Sequence, residues 1–367
     1  MQTDNLLIEI GGAEVPELEH DLISLEVELD DQLTGMFRLT IALLLKADGS
    51  WTYLDDDRFT VWTKVVITAG PQDDSRQLIT GYITHLRPEF GVGLEQCRLA
   101  VWGMDASVLM DRAEVLKTWP NTKDSDIATL LFNQAGLAPQ VTDTDVVHDE
   151  EVATIVQRET DIRLLKRLAS RNGFECFVDG DTGYFQPPAL DDADQPVLNV
   201  HAGEQTNVNR FSVEVNALTP ADVAMSDIDH STGEVLDATS ESGHQPALGA
   251  NRPADVLPSG IPAGQVHIGQ TVATGVPEMT ALCQALFDRN EWFVTGEGEV
   301  AANTYDAILL PRRTVVINGV GEAHSGAYYV THVTHRFGDD GYVQQFRVKR
   351  NALVSSDAGG GGLLGLL

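Results

Sequence analysis

Glu159-Thr-Asp-Ile-Arg-Leu-Leu-Lys-Arg-Leu-Ala-Ser-Arg-Asn-Gly-Phe-Glu-Cys-Phe-Val178 changes its hydrophobic period part-way along. Ile162, Leu165, Leu168 and Ala169 recur at helical spacing, Thr160 stands at the expected cap, and Gly173 supplies a left-handed stop. Phe174 to Val178 and Gly183 to Gln186 then read as a hairpin joined across Asp179-Gly-Asp-Thr182. Upstream, Asp124-Ser-Asp-Ile-Ala-Thr-Leu-Leu-Phe-Asn-Gln-Ala-Gly136 repeats the helix logic, with Ser125 as the expected cap and Gly136 as the stop. Residues 121–190 are therefore expected to form a small helix-hairpin unit.

Outward from this unit both flanks read as β. In Asp21-Leu-Ile-Ser-Leu-Glu-Val-Glu-Leu-Asp30, apolar Ile23, Leu25, Val27 and Leu29 alternate with polar residues, so one face meets a core. Phe37 to Leu45, Phe59 to Ala69, Gln77 to Pro88 and Glu95 to Trp102 continue the pattern between Asp/Gly/Pro clusters. After the insert, strands are expected at Asn209 to Val215, Ala221 to Ile228, Phe293 to Ala302, Arg313 to Asn318, Ala327 to Arg336 and Tyr342 to Arg350. Thr239 to Gly264 reads as a long loop with little structure of its own. A helix follows over 277–290, with Pro277 in its first turn and Met279, Leu282, Cys283, Leu286 and Phe287 on one stripe. The expected class is α+β, dominated by β. A first barrel or sandwich domain occupies residues 1–120, the insert 121–190, a second β domain 191–355, and a Gly/Leu-rich tail 356–367.

The 367 residues carry 24 Lys+Arg against 55 Asp+Glu, a net charge of −31, which argues against binding nucleic acid or anionic membranes through a general electrostatic footprint. The charge is uneven. Residues 179–260 contain only Arg210 and Arg252 as cations, whereas the helix from Arg158 to Arg171 and the segment 307–367 are locally basic. Local positive faces on an acidic chain are expected to meet an acidic protein surface. Arg163, Arg167, Arg312 and Arg313 are on that ground candidate partner-binding residues. No secretory signal and no apolar run of the ~20 residues that a membrane helix needs is visible. Cys97, Cys176 and Cys283 lack CxxC spacing and read as small buried residues.

Catalytic constellations are not found. His332 and His335 sit three apart on an expected strand and so point to opposite faces, which excludes a metal sphere with His324. Val315-Val-Ile-Asn-Gly-Val-Gly-Glu322 precedes a strand, not a helix, and so lacks a phosphate cradle. The acidic runs Asp55-Asp-Asp57 and Asp191-Asp-Ala-Asp194 lack a calcium-loop pattern, and no Gly-x-Ser-x-Gly elbow occurs. The sequence predicts no enzyme, no cofactor and no metal.

Two segments carry a family resemblance. Glu159 to Val178, with Asp181-Thr-Gly-Tyr-Phe-Gln-Pro-Pro188, resembles the helix-hairpin signature of the phage late control D proteins, the central hubs of contractile tails, related to the N-terminal half of type VI secretion VgrG spikes. Leu310-Pro-Arg-Arg-Thr-Val-Val-Ile-Asn-Gly-Val-Gly-Glu322, Ser325-Gly-Ala-Tyr-Tyr-Val-Thr-His-Val-Thr-His-Arg336 and Gly341-Tyr-Val-Gln-Gln-Phe-Arg-Val-Lys-Arg-Asn351 resemble the strands closing that family's second barrel. Many relatives have Pro-Gly in place of Pro311-Arg312, and threonine in place of Gln344; both differences read as turn and surface changes.

The resemblance implies two tube-like antiparallel β-barrel domains flanking the insert, and a homotrimer whose six barrels join a hexameric inner tube to a trimeric spike. Its partners would be the inner tube protein, a separate spike protein, other baseplate proteins, and cargo or tape-measure protein in the lumen. Neither sequence-specific nucleic acid binding nor membrane insertion is expected. The protein would be assembled in the cytoplasm and reside in a phage tail (virion) or a contractile injection particle. Because the chain ends at Leu367, the spike is expected as another polypeptide, docked by Leu363, Leu364, Leu366 and Leu367 beyond a flexible glycine run. An acidic lumen that lets anionic cargo slide is a further expectation. Alternatives are a tail-associated cell-wall hydrolase, which needs an additional catalytic domain, and a carbohydrate-binding β protein, which needs an aromatic platform that the dispersed Trp51, Trp62, Trp102, Trp119 and Trp292 do not offer.

Overall fold

The computed structural model describes residues 6–71, 75–191, 195–229, 232–269, 271–339 and 341–354. Alternation along Leu22–Asp30 buries Leu25, Val27 and Leu29, as a half-covered strand requires. Ile23 departs from the expected face. The register against Met36–Ala42 shifts between Leu22 and Ser24, and this bulge leaves Ile23 exposed.

Among the described residues, most strands join one 13-stranded sheet. Its main path runs from Arg210–Val215 through Val294–Ala301, Gly341–Arg350 and Gly326–Gly338 to Leu22–Asp30, Met36–Ala42, Arg98–Asp105, Arg76–Glu89, Lys64–Ala69, Leu7–Ile10 and Ala13–Glu14. The two sequence-distant β regions meet at one antiparallel seam, from His332↔Asp30 to Phe337↔Leu25. The fold is β-dominated with few helices. Two closed barrels were the expectation, yet among the described residues the path has two free ends. The strand pairing that a barrel would use for closure goes instead to the other half.

Each half nevertheless has its own core. Leu25, Phe37, Leu39, Val65 and Val101 belong to the first, and Leu198, Val294, Val315, Tyr328, Val333 and Phe346 to the second. Among the described residues, five α-helices accompany the sheet: α1 (Leu18–Asp21), α2 (Asp124–Gln134), α3 (Asp161–Asn172), α4 (Pro253–Val256) and α5 (Val276–Asn290). In the insert, α2 and α3 pack Ile127, Leu131, Phe132, Ile162, Leu165 and Leu168 against the hairpin Glu175–Asp179 and Thr182–Gln186. Gly173 ends α3 at φ 68°, the left-handed stop. The caps differ from expectation. Ser125 lies inside the first turn of α2 and donates to Asp143, while Thr160 donates its hydroxyl to Asp111 and leaves the helix backbone alone.

Ala221–Ile228 leaves the main sheet. It pairs with Val235–Ser240 and Gly264–Ile268 in a separate three-stranded sheet, because Val223 and Met225 bury against Met279, Cys283 and Phe287 of α5. The stretch read as a loop thus contributes strand ends and α4. Its middle is held by side chains at the end of the last strand and just after it: fully buried Arg350 donates to the Leu248 carbonyl at 2.9 Å, and Asn351 bonds Leu248 and Pro246. No local hydrophobic periodicity announces such anchoring.

Candidate functional site

The seam, the insert and the loop before Thr314 converge on a cavity of about 270 Å³ lined by Asp30, Asp105, Glu175, Phe177, Arg312 and Arg313. Strand Leu22–Asp30 ends in a turn in which the Asp30 carboxylate accepts from the amides of Gln32 and Leu33 and contacts His332 Nδ1 at 3.0 Å. Burial works to raise the Asp30 carboxyl, but the bonds from His332 and the two amides outweigh it and hold the group below its ordinary value. Asp31 takes the opposite direction. Burial pushes it up, against the pull of Lys349, whose Nζ lies 2.9 Å from Oδ2.

Lys349 also sits 4.7 Å from the Trp292 ring and 5.1 Å from the Tyr329 ring. The Tyr329 hydroxyl donates to both oxygens of Glu175, at 2.7 and 2.8 Å, so the C-terminal half grips the insert hairpin. Burial raises Glu175 to about 7, with the Asp31 charge adding to the effect and Lys349 opposing it. This network binds three parts of the chain. It offers no nucleophile paired with a base, so its chemistry is that of a fastener.

Arg312 and Arg313 lie here, whereas Arg163 and Arg167 lie on α3. Arg312 adopts φ 63°, the left-handed region that favours glycine. Its guanidinium stacks 3.9 Å from the Phe177 ring and donates to the Asp30 carbonyl, contacts that offset an unfavourable backbone. Arg313 is exposed at the cavity rim. Arg163 pairs with Asp111 at 3.1 Å, and Arg167 with Glu159 at 2.7 Å. Leu363, Leu364, Leu366 and Leu367 lie outside the described residues. Gln344, read as a surface position, is fully buried, where it accepts from the Leu309 amide and donates to the Ala307 carbonyl.

Sequence reading missed Asp30, Asp31, Glu175, Tyr329 and Lys349. Glu175 carried a usable signal, an acid between Phe174 and Cys176 on a strand expected to be half-buried. His335 is completely buried, bonds the Tyr342 hydroxyl at 2.7 Å, and is driven down to about 3 by desolvation. Among the described residues no group of three or more His, Cys, Asp and Glu is placed to hold a metal ion, and no helix is long and apolar enough to cross a membrane. The three cysteines are free and buried, and burial pushes Cys176 up to about 12.

Comparison with known proteins gives a family and a fold. A family described as Alg8 N-terminal domain matches residues 2–339. No curated protein matches the sequence. The 43 kDa tail protein of prophage MuSo2 from Shewanella oneidensis superposes with a TM-score of 0.67 at 14% identity, over 96% of this chain and 100% of its own. A tail protein from Neisseria meningitidis gives 0.66 at 12% identity, over 97% and 99%. An Escherichia coli component of the type VI secretion system, with structural similarity to bacteriophage T4 tail proteins, gives 0.54 at 11% identity, over 94% and 76%. These likenesses show a shared fold.

Proposed function

This chain belongs to the Alg8 N-terminal domain family, and from that premise we propose that it is a structural hub of a phage tail or contractile injection particle, without catalytic activity. The observation that carries the proposal is end-to-end correspondence with two tail proteins, one of them from a prophage: nearly the whole of this chain aligns with nearly the whole of each. A fold hosts many functions, so the proposal rests also on what the cavity contains. In and beside it, Glu175 accepts from Tyr329, Arg312 donates to the Asp30 carbonyl and Lys349 pairs with Asp31, and none of these contacts sets a nucleophile beside a base.

In this reading the hub is of the late control D type, a homotrimer in which two tube-like halves per chain make a ring of six. It joins a hexameric inner tube to a trimeric spike, meets other baseplate proteins, and encloses a lumen for cargo or tape-measure protein. The division into residues 1–120, 121–190 and 191–355 and the docking of Leu363, Leu364, Leu366 and Leu367 onto the spike belong to the same proposal. So do an acidic lumen and contact of Arg163, Arg167, Arg312 and Arg313 with neighbours. Native mass measurement of the full chain tests it. A species of about three times the 39.8 kDa chain mass is expected, and a monomer at micromolar concentration would overturn it.

A further inference from the structure

The two halves of the main sheet repeat each other in sequence as well as in frame. Val65-Val66-Ile67 recurs as Val315-Val316-Ile317, and Tyr82-Ile-Thr-His-Leu-Arg-Pro-Glu-Phe-Gly91 recurs as Tyr329-Val-Thr-His-Val-Thr-His-Arg-Phe-Gly338. The pairings recur with them. Lys64 stands opposite Tyr82 as Thr314 stands opposite Tyr329. The register against the following strand slips after Ile83 in one half and after Val330 in the other. Trp62 and Arg312 adopt φ 71° and 63°, and their amides donate to the Ile83 and Val330 carbonyls. Residues 84–90 therefore correspond to 331–337. Followed across the strands through Val101 and Leu39 in one half, and through Phe346 and Gly298 in the other, the ladder matches Leu25 with Phe211. By the same register Val27 corresponds to Val213 and Leu29 to Val215.

One contact of this repeat is made only once within the chain. Residues 332–337 pair with Leu22–Asp30 at the seam. Among the described residues neither counterpart has such a partner: the pairing with Lys64–Ala69 ends at Tyr82, so no strand covers the outer side of residues 85–89, and Arg210–Val215 ends the sheet path. The Asn216 amide donates to the Phe293 carbonyl on the inner side, so the alternation of a strand turns the amides of Val213 and Val215 outward. Burial differs accordingly. Leu29 is 7% exposed and its counterpart Val215 40%; His335 is fully buried and its counterpart Pro88 exposed. Such open edges are templates for another strand.

We propose that residues 85–89 of one copy pair with Arg210–Val215 of the next, repeating between copies the seam that each chain makes within itself. The inference rests on the ring reading above and names the surface that joins its subunits. In the register of the seam Leu86 faces Val215, Arg87 faces Glu214 and Pro88 faces Val213 of the neighbour. Arg87 thus meets an opposite charge, as Arg336 meets Glu26 across the seam at 2.6 Å. The two edges differ, so the contact is head-to-tail and closes as a ring. It is one hydrogen bond poorer than its model. The Asp31 amide donates to the Thr331 carbonyl, so His335, four residues on, faces the same side, and Pro88 in its place has no donor.

A full chain carrying both Arg87→Cys and Glu214→Cys tests the pairing by oxidation. Opposed residues at such a position, between hydrogen-bonded pairs, have Cα atoms about 4.5 Å apart, within disulfide reach. The three native cysteines are buried. Non-reducing denaturing electrophoresis is expected to show bands of two and three chain masses for the double variant, and the single-chain band alone for each single variant. Native mass of the same samples separates this claim from the ring reading. A trimer without the disulfide overturns the pairing and leaves the ring, whereas a monomer overturns both. Should the double variant not fold, hydrogen exchange in the wild-type assembly decides. The Val213 and Val215 amides are expected to be protected to within about ten-fold of Val27 and Leu29 at the internal seam. Exchange at the rate of an open edge overturns the proposal.

Discussion

The two halves of the main sheet solve one packing problem in the same way and a second one differently. In the N-terminal half Phe37 stands opposite Gly103 on the neighbouring strand, and in the C-terminal half Phe346 stands opposite Gly298. At each glycine a Cβ would collide with the opposing phenylalanine ring, so the missing side chain is what admits the aromatic. The halves part company over polar groups. The N-terminal core is dominated by Ile, Leu and Val, whereas the C-terminal half buries Gln195, Gln344, Arg350 and Asn351 completely or nearly so. Those side chains satisfy the backbone of irregular segments, including Leu248, Ala307 and Leu310. A repeated strand frame can thus accept large excursions on one side if buried polar residues supply partners for the excursion's backbone.

The strongest way to break the comparison is to delete the shared feature. Phe37→Ala and Phe346→Ala are each expected to cost about 3–5 kcal/mol in chemical denaturation. A cost below 1 kcal/mol in either half would end the equivalence. Next comes the difference. Arg350→Met strips hydrogen bonds from the carbonyls of Leu248, Ser325 and Val354, and is expected to cost roughly 3 kcal/mol. Exchange protection should fall first around residues 245–251, with the N-terminal half following only at global unfolding.

Glu175 gives a pH-dependent effect at the seam. Folding raises this carboxyl to about 7, so the folded protein keeps a proton that the unfolded chain releases at lower pH. Stability contributed by this group therefore falls as pH rises from the ordinary carboxylate range through about 7. Glu175→Gln keeps an acceptor for Tyr329 and removes that loss. The variant is expected to gain roughly 1–3 kcal/mol over wild type at pH 8 and almost nothing at pH 4, read from paired denaturation curves. A smaller effect separates backbone from side chain at Arg312. Arg312→Ala and Arg312→Gly both lose the Phe177 and Asp30 contacts, but glycine relieves the left-handed backbone, so alanine is expected to be less stable by about 1 kcal/mol.

Local pattern made much of this architecture legible. The stripes of α3 and α5, the Gly173 stop and the alternation of Leu25, Val27 and Leu29 were readable because each is set within one or two turns or one strand. The seam was not, since His332↔Asp30 joins positions whose separation leaves no local trace. The excursion before α5 was misread for a related reason: its order comes from Arg350 and Asn351, a hundred residues downstream. At the candidate site, Arg312 and Arg313 were found from charge runs. Glu175, Tyr329 and Lys349 became a network only when three segments met.

The central claim is that one chain supplies two comparable wall units of a closed ring. Electron cryomicroscopy of the full chain, reconstructed without imposed symmetry, tests this most directly. The account predicts a three-fold ring whose wall shows six similar sheet units around a lumen. A monomer, or an assembly in which the two halves of a chain hold unrelated positions, would contradict it.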